Sequence, residues 1–200
     1  INKITKTVVI ALVVFGAHSC GDAYLEDVKV YQIDSESYFN SESDYLEAVI
    51  GAYDLLQSSY LNALLGEIAS DNTLSGGESA TDVIGFQEID DMIHTPVNSN
   101  LRDLWNWMYG GISRTNFIME FETKTEFEGR DALIAETRFL RAYYYFELVK
   151  WFGPIPLKET RFVIGDETSI PRSPVSDVYA LIEKDLKFAK EQNENYLQKL

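Results

Sequence analysis

The residue with the clearest chemistry is Cys20, the single cysteine of this 200-residue chain. It follows a basic start (Lys3 and Lys6) and an apolar run over residues 7–17. That run is too short to cross a bilayer, which takes roughly 20 residues. A basic start, an apolar run and a small residue before a cysteine indicate a secretory signal, although His18 is atypical there. We therefore predict a lipoprotein signal peptide over residues 1–19 and acylation (palmitate) of Cys20. The alternative is a buried helix or a plain signal.

A second set of residues, between positions 70 and 110, has the chemistry to bind carbohydrate. Aromatic faces supply dispersion contacts to a sugar ring, and planar polar side chains orient its hydroxyl groups. The candidate ligand-binding residues are Asp71, Asn72, Phe86, Asn98, Arg102 and Trp107. Trp105 is expected in the core, whereas Trp107 lies about 200° further around the same helix and is expected to be more exposed. Asp71 and Asn72 could equally cap a helix.

The sequence offers little for catalysis or metal binding. Its two histidines are His18, within the predicted signal, and His94. There is no HExxH, CxxC or GxxxxGK[ST] motif. Glycoside hydrolysis needs two carboxylates at a fixed separation, and an abundance of 32 acidic residues does not establish one. No EF-hand spacing is present for Ca²⁺. We therefore expect neither an enzyme nor a resident cofactor or metal.

Charge is distributed unevenly along the chain. The formal net charge is −15, and residues 21–100 contain 16 acidic residues against one basic residue, Lys29. An acidic surface repels phosphate backbones, which argues against nucleic acid as a partner. It also disfavours electrostatic binding to an anionic membrane, so lipid on Cys20 would be the membrane anchor. The alternative is that the acidic half serves solubility alone.

Helices must position these candidates, because no segment shows a convincing strand pattern. After an extended tether over residues 20–40, Ser41-Glu-Ser-Asp44 resembles a capping box and begins a helix. The predicted apolar face of that helix is Tyr45, Val49, Ala52, Tyr53 and Leu56. A short apolar stretch over residues 60–68 follows, and then a loop over residues 70–100 without clear periodicity. Loops of that length are often functional.

Three longer helices are predicted beyond this loop. The first begins at Asn100, and its apolar ribbon is relaxed at Gly110 and Gly111, where another helix could approach closely. The ribbon comprises Leu101, Leu104, Trp105, Met108, Ile112, Phe117 and Phe121. The second spans about residues 130–152 and ends at Gly153-Pro154. The third begins at Ser173-Pro174, with Val178, Leu181, Ile182, Leu186 and Ala189 as its core face.

The second of these helices is apolar on two faces, which predicts that it lies between two neighbours. One face carries Phe139, Ala142, Tyr143, Phe146 and Val149, and the other carries Leu140, Tyr144, Leu148 and Trp151. Tyr143-Tyr144-Tyr145 are expected to pack, and Arg138 and Arg141 to pair with nearby carboxylates such as Glu136 and Glu147. The sequence predicts an all-α fold of tetratricopeptide-like helical pairs in a superhelical array with long irregular loops.

The segment from Arg138 to Leu157, RFLRAYYYFELVKWFGPIPL, resembles the hallmark of the SusD/RagB family of outer-membrane nutrient-binding lipoproteins. Residues 48–55, 67–72 and 171–186 also resemble that family, in the same order. The resemblance implies that residues 41–200 are a SusD-like N-terminal helical domain. Family members are longer, so we expect a C-terminal part beyond it.

What the resemblance implies for function is nutrient capture at the cell surface. Members of this family in Bacteroidota are lipid-anchored at the outer membrane over a TonB-dependent SusC-like β-barrel. There they bind starch or another oligosaccharide or polysaccharide for import. The acidic residues after Cys20 resemble the surface-export signal of such lipoproteins. A tetratricopeptide-type scaffold lipoprotein that binds protein partners is the alternative.

Overall fold

Six α-helices and one 3-10 turn build the part of the chain that the structure describes. The computed structural model describes residues 37–79, 81–161 and 169–197, with side chains through residue 194. The helices are α1 (Glu42–Tyr53), α2 (Ser59–Ile68), α3 (Ile84–Asp90), α4 (Ser99–Glu120), α5 (Arg130–Phe152) and α6 (Val175–Leu197), and the 3-10 turn is Asp54–Ser58. These ranges contain no strand and one isolated antiparallel bridge, between Ile155 and Ser173.

The predicted signal peptide, Cys20 and most of the predicted tether lie outside the described residues. The described residues from Tyr38 onward form one compact unit. None of the helices within the described ranges combines the length and the apolar character that a membrane span would need.

Helix α4 runs antiparallel to both α1 and α5. Along α4 and α5, Trp105 packs edge-on against Phe152, and further on Asn116 accepts a hydrogen bond from Arg141. Residue numbers therefore increase along α4 while those of the contacting residues in α5 decrease, as in an antiparallel pair. Helices α5 and α6 are related in the same way, because Ile155 bridges to Ser173 while Arg141 contacts Asp185. This arrangement confirms the predicted all-α fold of tetratricopeptide-like helical pairs.

The capping box at the start of α1 is confirmed. The backbone N–H of Asp44 donates to Ser41 Oγ at 3.4 Å, and the backbone N–H of Ser41 donates to Asp44 Oδ2 at 3.0 Å. The two side chains thus satisfy backbone donors that have no partner within the helix. Tyr45, Val49 and Ala52 are buried as predicted, whereas Tyr53 is partly exposed.

The close approach predicted at the glycine pair of α4 is confirmed at Gly111. A Cβ atom built on Gly111 would lie 2.5 Å from Cδ2 of Tyr144. With hydrogen in its place, the tyrosine ring of α5 packs directly on the α4 backbone. The same ring reaches α1, where its hydroxyl donates to the carbonyl of Ala52 at 2.6 Å. Tyr144 therefore joins three helices, and burial is the main reason why the pKa of its hydroxyl is raised.

Helix α5 is buried on more than one side as predicted, but Phe139 and Phe146 are 50% and 41% exposed, so their assignment to the core was wrong. The buried side chains of α5 instead include polar ones, among them Thr137, Arg141 and Glu147. Periodicity ranks residues by apolarity and therefore misses a buried polar side chain whose partners come from other helices.

The predicted partners of the two α5 arginines were also wrong. Arg141 makes a bidentate pair with Asp185 of α6, at 2.7 Å from Nε to Oδ2 and 2.9 Å from Nη2 to Oδ1. Arg138 contacts Glu122 at 3.3 Å and Asp185 at 3.7 Å. The helix carboxylates Glu136 and Glu147 face elsewhere, towards Tyr53 and Lys150 respectively.

The ends of the later helices are close to their predicted places. Gly153 closes α5 with φ +65°, in the region that favours glycine. In α6, Val178, Leu181 and Ile182 are buried as expected, whereas Leu186 is 41% exposed and its neighbour Asp185 is fully buried. The prediction that residues 70–100 lack regular structure was wrong in part, because α3 lies within them.

Candidate functional site

A surface groove beside α2 brings exposed aromatic side chains together with polar groups. Its volume is about 520 Å³. We call it the aromatic groove, and it is lined by Asp54, Leu55, Gln57, Ser58, Tyr60, Leu61, Leu64, Phe86 and Trp107. The first four come from the 3-10 turn, the next three from α2, and the last two from α3 and α4. The groove exists only because three stretches separated along the chain meet there: residues 54–64, α3 and α4.

The two tryptophans of α4 diverge as the helical period predicts. Trp105 is half-buried and packs edge-on against Phe152 and tilted against Tyr109. Trp107, two residues further along the helix, is 39% exposed and lines the groove. Tyr60, in the first turn of α2, lines the same groove and is 78% exposed. The groove therefore offers two exposed aromatic side chains to a ligand, beside the half-buried Phe86.

Most polar groups of the groove come from the 3-10 turn. The Gln57 side-chain amide donates to Asp54 Oδ1 at 2.9 Å. Arg114 of α4 approaches the other carboxylate oxygen of Asp54 at 3.4 Å. A carboxylate, an amide and the Tyr60 hydroxyl supply both donors and acceptors beside the aromatic rings. This combination can hold the hydroxyl groups of a sugar while its apolar face lies on a ring.

The 3-10 turn is held against α4 by close packing. A Cβ atom built on Gly110 would lie 3.2 Å from Leu55 Cδ1, so this glycine leaves room for the leucine. The Ser58 hydroxyl donates to the carbonyl of Leu55 at 2.6 Å, which stabilises the tight turn from within. The glycine pair of α4 thus allows two close contacts: Gly110 with Leu55 of the 3-10 turn, and Gly111 with the Tyr144 ring of α5.

The structure brings together two of the six predicted ligand residues, Phe86 and Trp107, in one groove. Asp71, Asn72 and Arg102 are exposed but do not line it. Neither Asp71 nor Asn72 is the N-cap of a described helix. Asn98 is 3% exposed and caps α4 by accepting hydrogen bonds from the backbone N–H groups of residues 100 and 101. Its side-chain amide donates to Gly85 O and Glu88 at 2.9 Å each. Its side chain is thus committed to holding the helix start.

Sequence reasoning missed Tyr60, Asp54 and Gln57 as members of the site. Tyr60 was counted within an apolar stretch, because its residue type alone does not separate core from surface. Asp54 and Gln57 carry no motif. Their only signal is a break between two helical patterns at residues 54–58. Such a break does not indicate which other elements lie against it.

Two other cavities differ in chemistry. The larger, about 750 Å³, lies between α1, α5 and α6, and its lining includes Leu46, Leu133 and Phe139. There Tyr53 donates to Glu136 at 3.4 Å, and burial followed by this carboxylate raises the pKa of the tyrosine. The smaller, about 470 Å³, is lined by charged side chains such as Arg161, which pairs with Glu120 at 2.6 Å.

Within residues 37–79, 81–161 and 169–197, no set of side chains converges as metal ligands. No group of three or more His, Cys, Asp or Glu side chains there could hold an ion. The chemistry that the aromatic groove offers is noncovalent recognition of a ligand with apolar faces and hydroxyl groups.

Comparison with known proteins assigns relatives to most of the chain. Residues 23–195 match the family model SusD-like, described as starch-binding and associating with the outer membrane. A SusD-like protein of Formosa agariphila is 24% identical over 206 residues, covering 94% of this chain and 37% of the relative. Another SusD-like protein of that organism is 28% identical over 207 residues, with the same coverage. The chain thus spans little more than a third of the length of these curated relatives.

Solved structures give the same result for the fold. A laminarin-binding SusD-like protein superimposes with a TM-score of 0.69 and 28% identity, covering 77% of this chain and 34% of that one. Surface glycan-binding protein A from Bacteroides uniformis gives a TM-score of 0.67 and 27% identity, covering 76% of this chain and 35% of that one.

Proposed function

This chain belongs to the SusD-like family, and we propose that it is the N-terminal helical part of a cell-surface lipoprotein that captures glycan for import. The family description is one of starch binding and association with the outer membrane. In this proposal the lipid on Cys20 anchors the protein to the outer membrane. Its partner is a TonB-dependent SusC-like β-barrel transporter, which takes up the captured oligosaccharide or polysaccharide.

The observation that carries the capture function is the aromatic groove. Trp107 and Tyr60 are exposed in one groove with the Asp54 carboxylate and the Gln57 amide. An exposed tryptophan beside planar polar groups suits the alternating apolar and hydroxyl surfaces of a sugar. The groove is open, which suits a segment of a polymer better than a small enclosed metabolite.

A relative provides the first ligand to test. One structural neighbour is described as laminarin-binding, and the family as starch-binding. Laminarin and starch are both glucose polymers, so soluble oligosaccharides of each are the probes of choice. The remainder of the site in a longer protein would add contacts, so the test uses the full-length protein.

Calorimetric titration of the full-length protein with these oligosaccharides tests the groove. We expect Trp107→Ala to weaken binding at least about tenfold, equivalent to about 1.4 kcal/mol, without loss of far-ultraviolet circular dichroism. The matched control is Phe139→Ala, which removes an aromatic side chain that is 50% exposed but lines the larger cavity instead. Equal affinity of the Trp107→Ala variant and the wild type would remove the groove from the glycan site.

Affinity purification of the tagged lipoprotein from native outer membranes, with mass spectrometry, tests the uptake complex. We expect a TonB-dependent β-barrel in near-equal amount. Soluble proteins in place of the barrel would favour the scaffold alternative. Turnover of a glycan by the purified protein would contradict a pure binding function.

A further inference from the structure

The segment between residues 74 and 97 exposes an unusual number of large aliphatic side chains. Among the residues that the structure describes there, six are between 41% and 86% exposed. We call them the aliphatic patch: Leu74, Val83, Ile84, Met92, Ile93 and Val97. Single exposed aliphatics are ordinary, whereas a contiguous apolar surface marks an interaction site. Both ends of this segment lie against α3, because Ser75 hydrogen-bonds to Asp90 and Asn98, next to Val97, hydrogen-bonds to Gly85.

This segment is held firmly against the helices behind it. The backbone N–H of Ser75 donates to Asp90 Oδ2 at 2.7 Å. Ile89 of α3 is 1% exposed, and the Asn98 side chain donates to the carbonyl of Gly85 at 2.9 Å. The exposure of the aliphatic patch is thus compatible with an ordered segment that presents these side chains outward.

Every formal charge within residues 74–97, with His94 neutral, is negative. The sequence has no Lys or Arg from residue 30 to residue 101. The exposed carboxylates of the segment include Glu78, Asp82 and Asp91, and the exposed Asp71 lies three residues before it. A partner that covers the patch must therefore bring apolar side chains together with Lys or Arg, because like charges across an interface are costly.

The side-chain types also distinguish this patch from the aromatic groove. Sugar recognition uses flat aromatic faces, and the patch is made of branched and flexible aliphatic chains. Such side chains interdigitate well with those of another protein. A protein surface therefore fits the patch better than a glycan does.

We propose that the aliphatic patch is the docking surface for a protein partner whose contacting face combines apolar side chains with Lys and Arg. The inference rests on the proposed function for the identity of that partner, which is the β-barrel transporter. It adds to that function the surface by which the two proteins meet, on a different segment from Trp107 and Tyr60.

Purification of the full-length lipoprotein from native outer membranes tests this surface. The patch variant is Leu74→Ser/Ile93→Ser/Val97→Ser, which changes side chains that are 86%, 66% and 83% exposed. We expect at least a tenfold lower recovery of the barrel per molecule of lipoprotein. The matched control is Leu46→Ser/Ile50→Ser, which changes aliphatic side chains of α1 that are 47% and 58% exposed. It should recover the barrel as the wild type does.

The charge arm of the experiment uses Asp71→Asn/Glu78→Gln/Asp91→Asn, which keeps side-chain size. We expect weaker recovery of the barrel at low salt and a smaller response to added salt than in the wild type, because screened attractions are lost. A response to salt identical to that of the wild type would contradict the charge complementarity.

The remaining outcomes distinguish failure of this inference from failure of the proposed function. Full recovery of the barrel by the patch variant overturns the docking surface and leaves the uptake complex standing. No barrel with the wild type overturns both. If the melting temperature falls in the patch variant but not in the control, another part of the lipoprotein's own chain covers the patch. Lost glycan binding with normal barrel recovery makes the patch part of the glycan site. Both of these last results overturn the inference.

Discussion

Replacing Asp185 by leucine should destabilise the protein more than any single surface change. Asp185 and Arg141 are 0% and 3% exposed in their side chains and share two hydrogen bonds, at 2.7 and 2.9 Å. In Asp185→Leu the Arg141 guanidinium stays buried but loses its carboxylate. It keeps the hydrogen bond that it donates to Asn116 Oδ1 at 3.0 Å. Removing one partner of a buried ion pair costs about 3–5 kcal/mol, because the other charge is left uncompensated.

The double variant Arg141→Met/Asp185→Leu should recover most of that loss. Neither charge is then buried, and Asn116 keeps its hydrogen bonds to the carbonyls of Lys158 and Thr160 at 2.9 and 3.1 Å. Replacing a whole buried pair by apolar residues is often close to neutral. We expect the double variant to lie within about 2 kcal/mol of the wild type, most of it from the lost hydrogen bond to Asn116.

Equilibrium urea unfolding, followed by circular dichroism, measures each free energy of unfolding. The comparison is Lys187→Met, which breaks a pair with Glu183 in which both side chains are at least 65% exposed. It should change stability by less than about 1 kcal/mol. The reasoning is refuted if Asp185→Leu costs no more than this surface change. A cost of the double variant equal to the sum of Asp185→Leu and Arg141→Met, each measured singly, would also contradict a coupled pair, since coupled residues do not add.

Three further predictions concern the packing, ionisation and capping of the fold. Gly111→Ala should lower the free energy of unfolding by about 1–3 kcal/mol, because its Cβ would overlap the Tyr144 ring. Gly66→Ala, where α2 has open space for a Cβ, should raise the free energy of unfolding by about 0.5–1 kcal/mol. Equal effects of the two variants in urea unfolding would contradict this packing. Burial raises the pKa of Tyr145 from 10.0 to about 12, so the unfolded state loses its proton first and stability should fall between pH 10 and 12. Urea unfolding across that pH range, with tyrosinate absorbance, checks this, and constant stability there would disprove it. Ser41→Ala should cost about 1 kcal/mol in thermal unfolding, because a backbone donor loses its acceptor, and no change would show that water replaces the cap.

Much of the secondary structure could be predicted because its signals are local. The capping box at Ser41 and the glycine stop at Gly153 are where the sequence placed them. The short helix α3 escaped prediction because it has no side-chain cap, and Val83 at its N-cap has a left-handed backbone. Its seven residues are held by neighbours rather than by propensity.

The candidate site was predicted in part. The helical period separated Trp107 from Trp105 correctly, because both lie on one regular helix. The same kind of reasoning counted Asn98 as a ligand residue, whereas its side chain caps α4. Residue type shows what a side chain can bond to, and burial decides which of those bonds it makes.

The sequence by itself determined the order of the four longest helices, the acidic character of the first half and the family resemblance. All of these depend on composition and on residues close together in the chain. Only the tertiary structure decided that Arg141 pairs with Asp185, 44 residues away, rather than with an acid on its own helix. It alone placed Tyr60 beside Trp107 in one groove. Such contacts depend on how helices pack, and packing chooses among many side chains that are equivalent by local pattern.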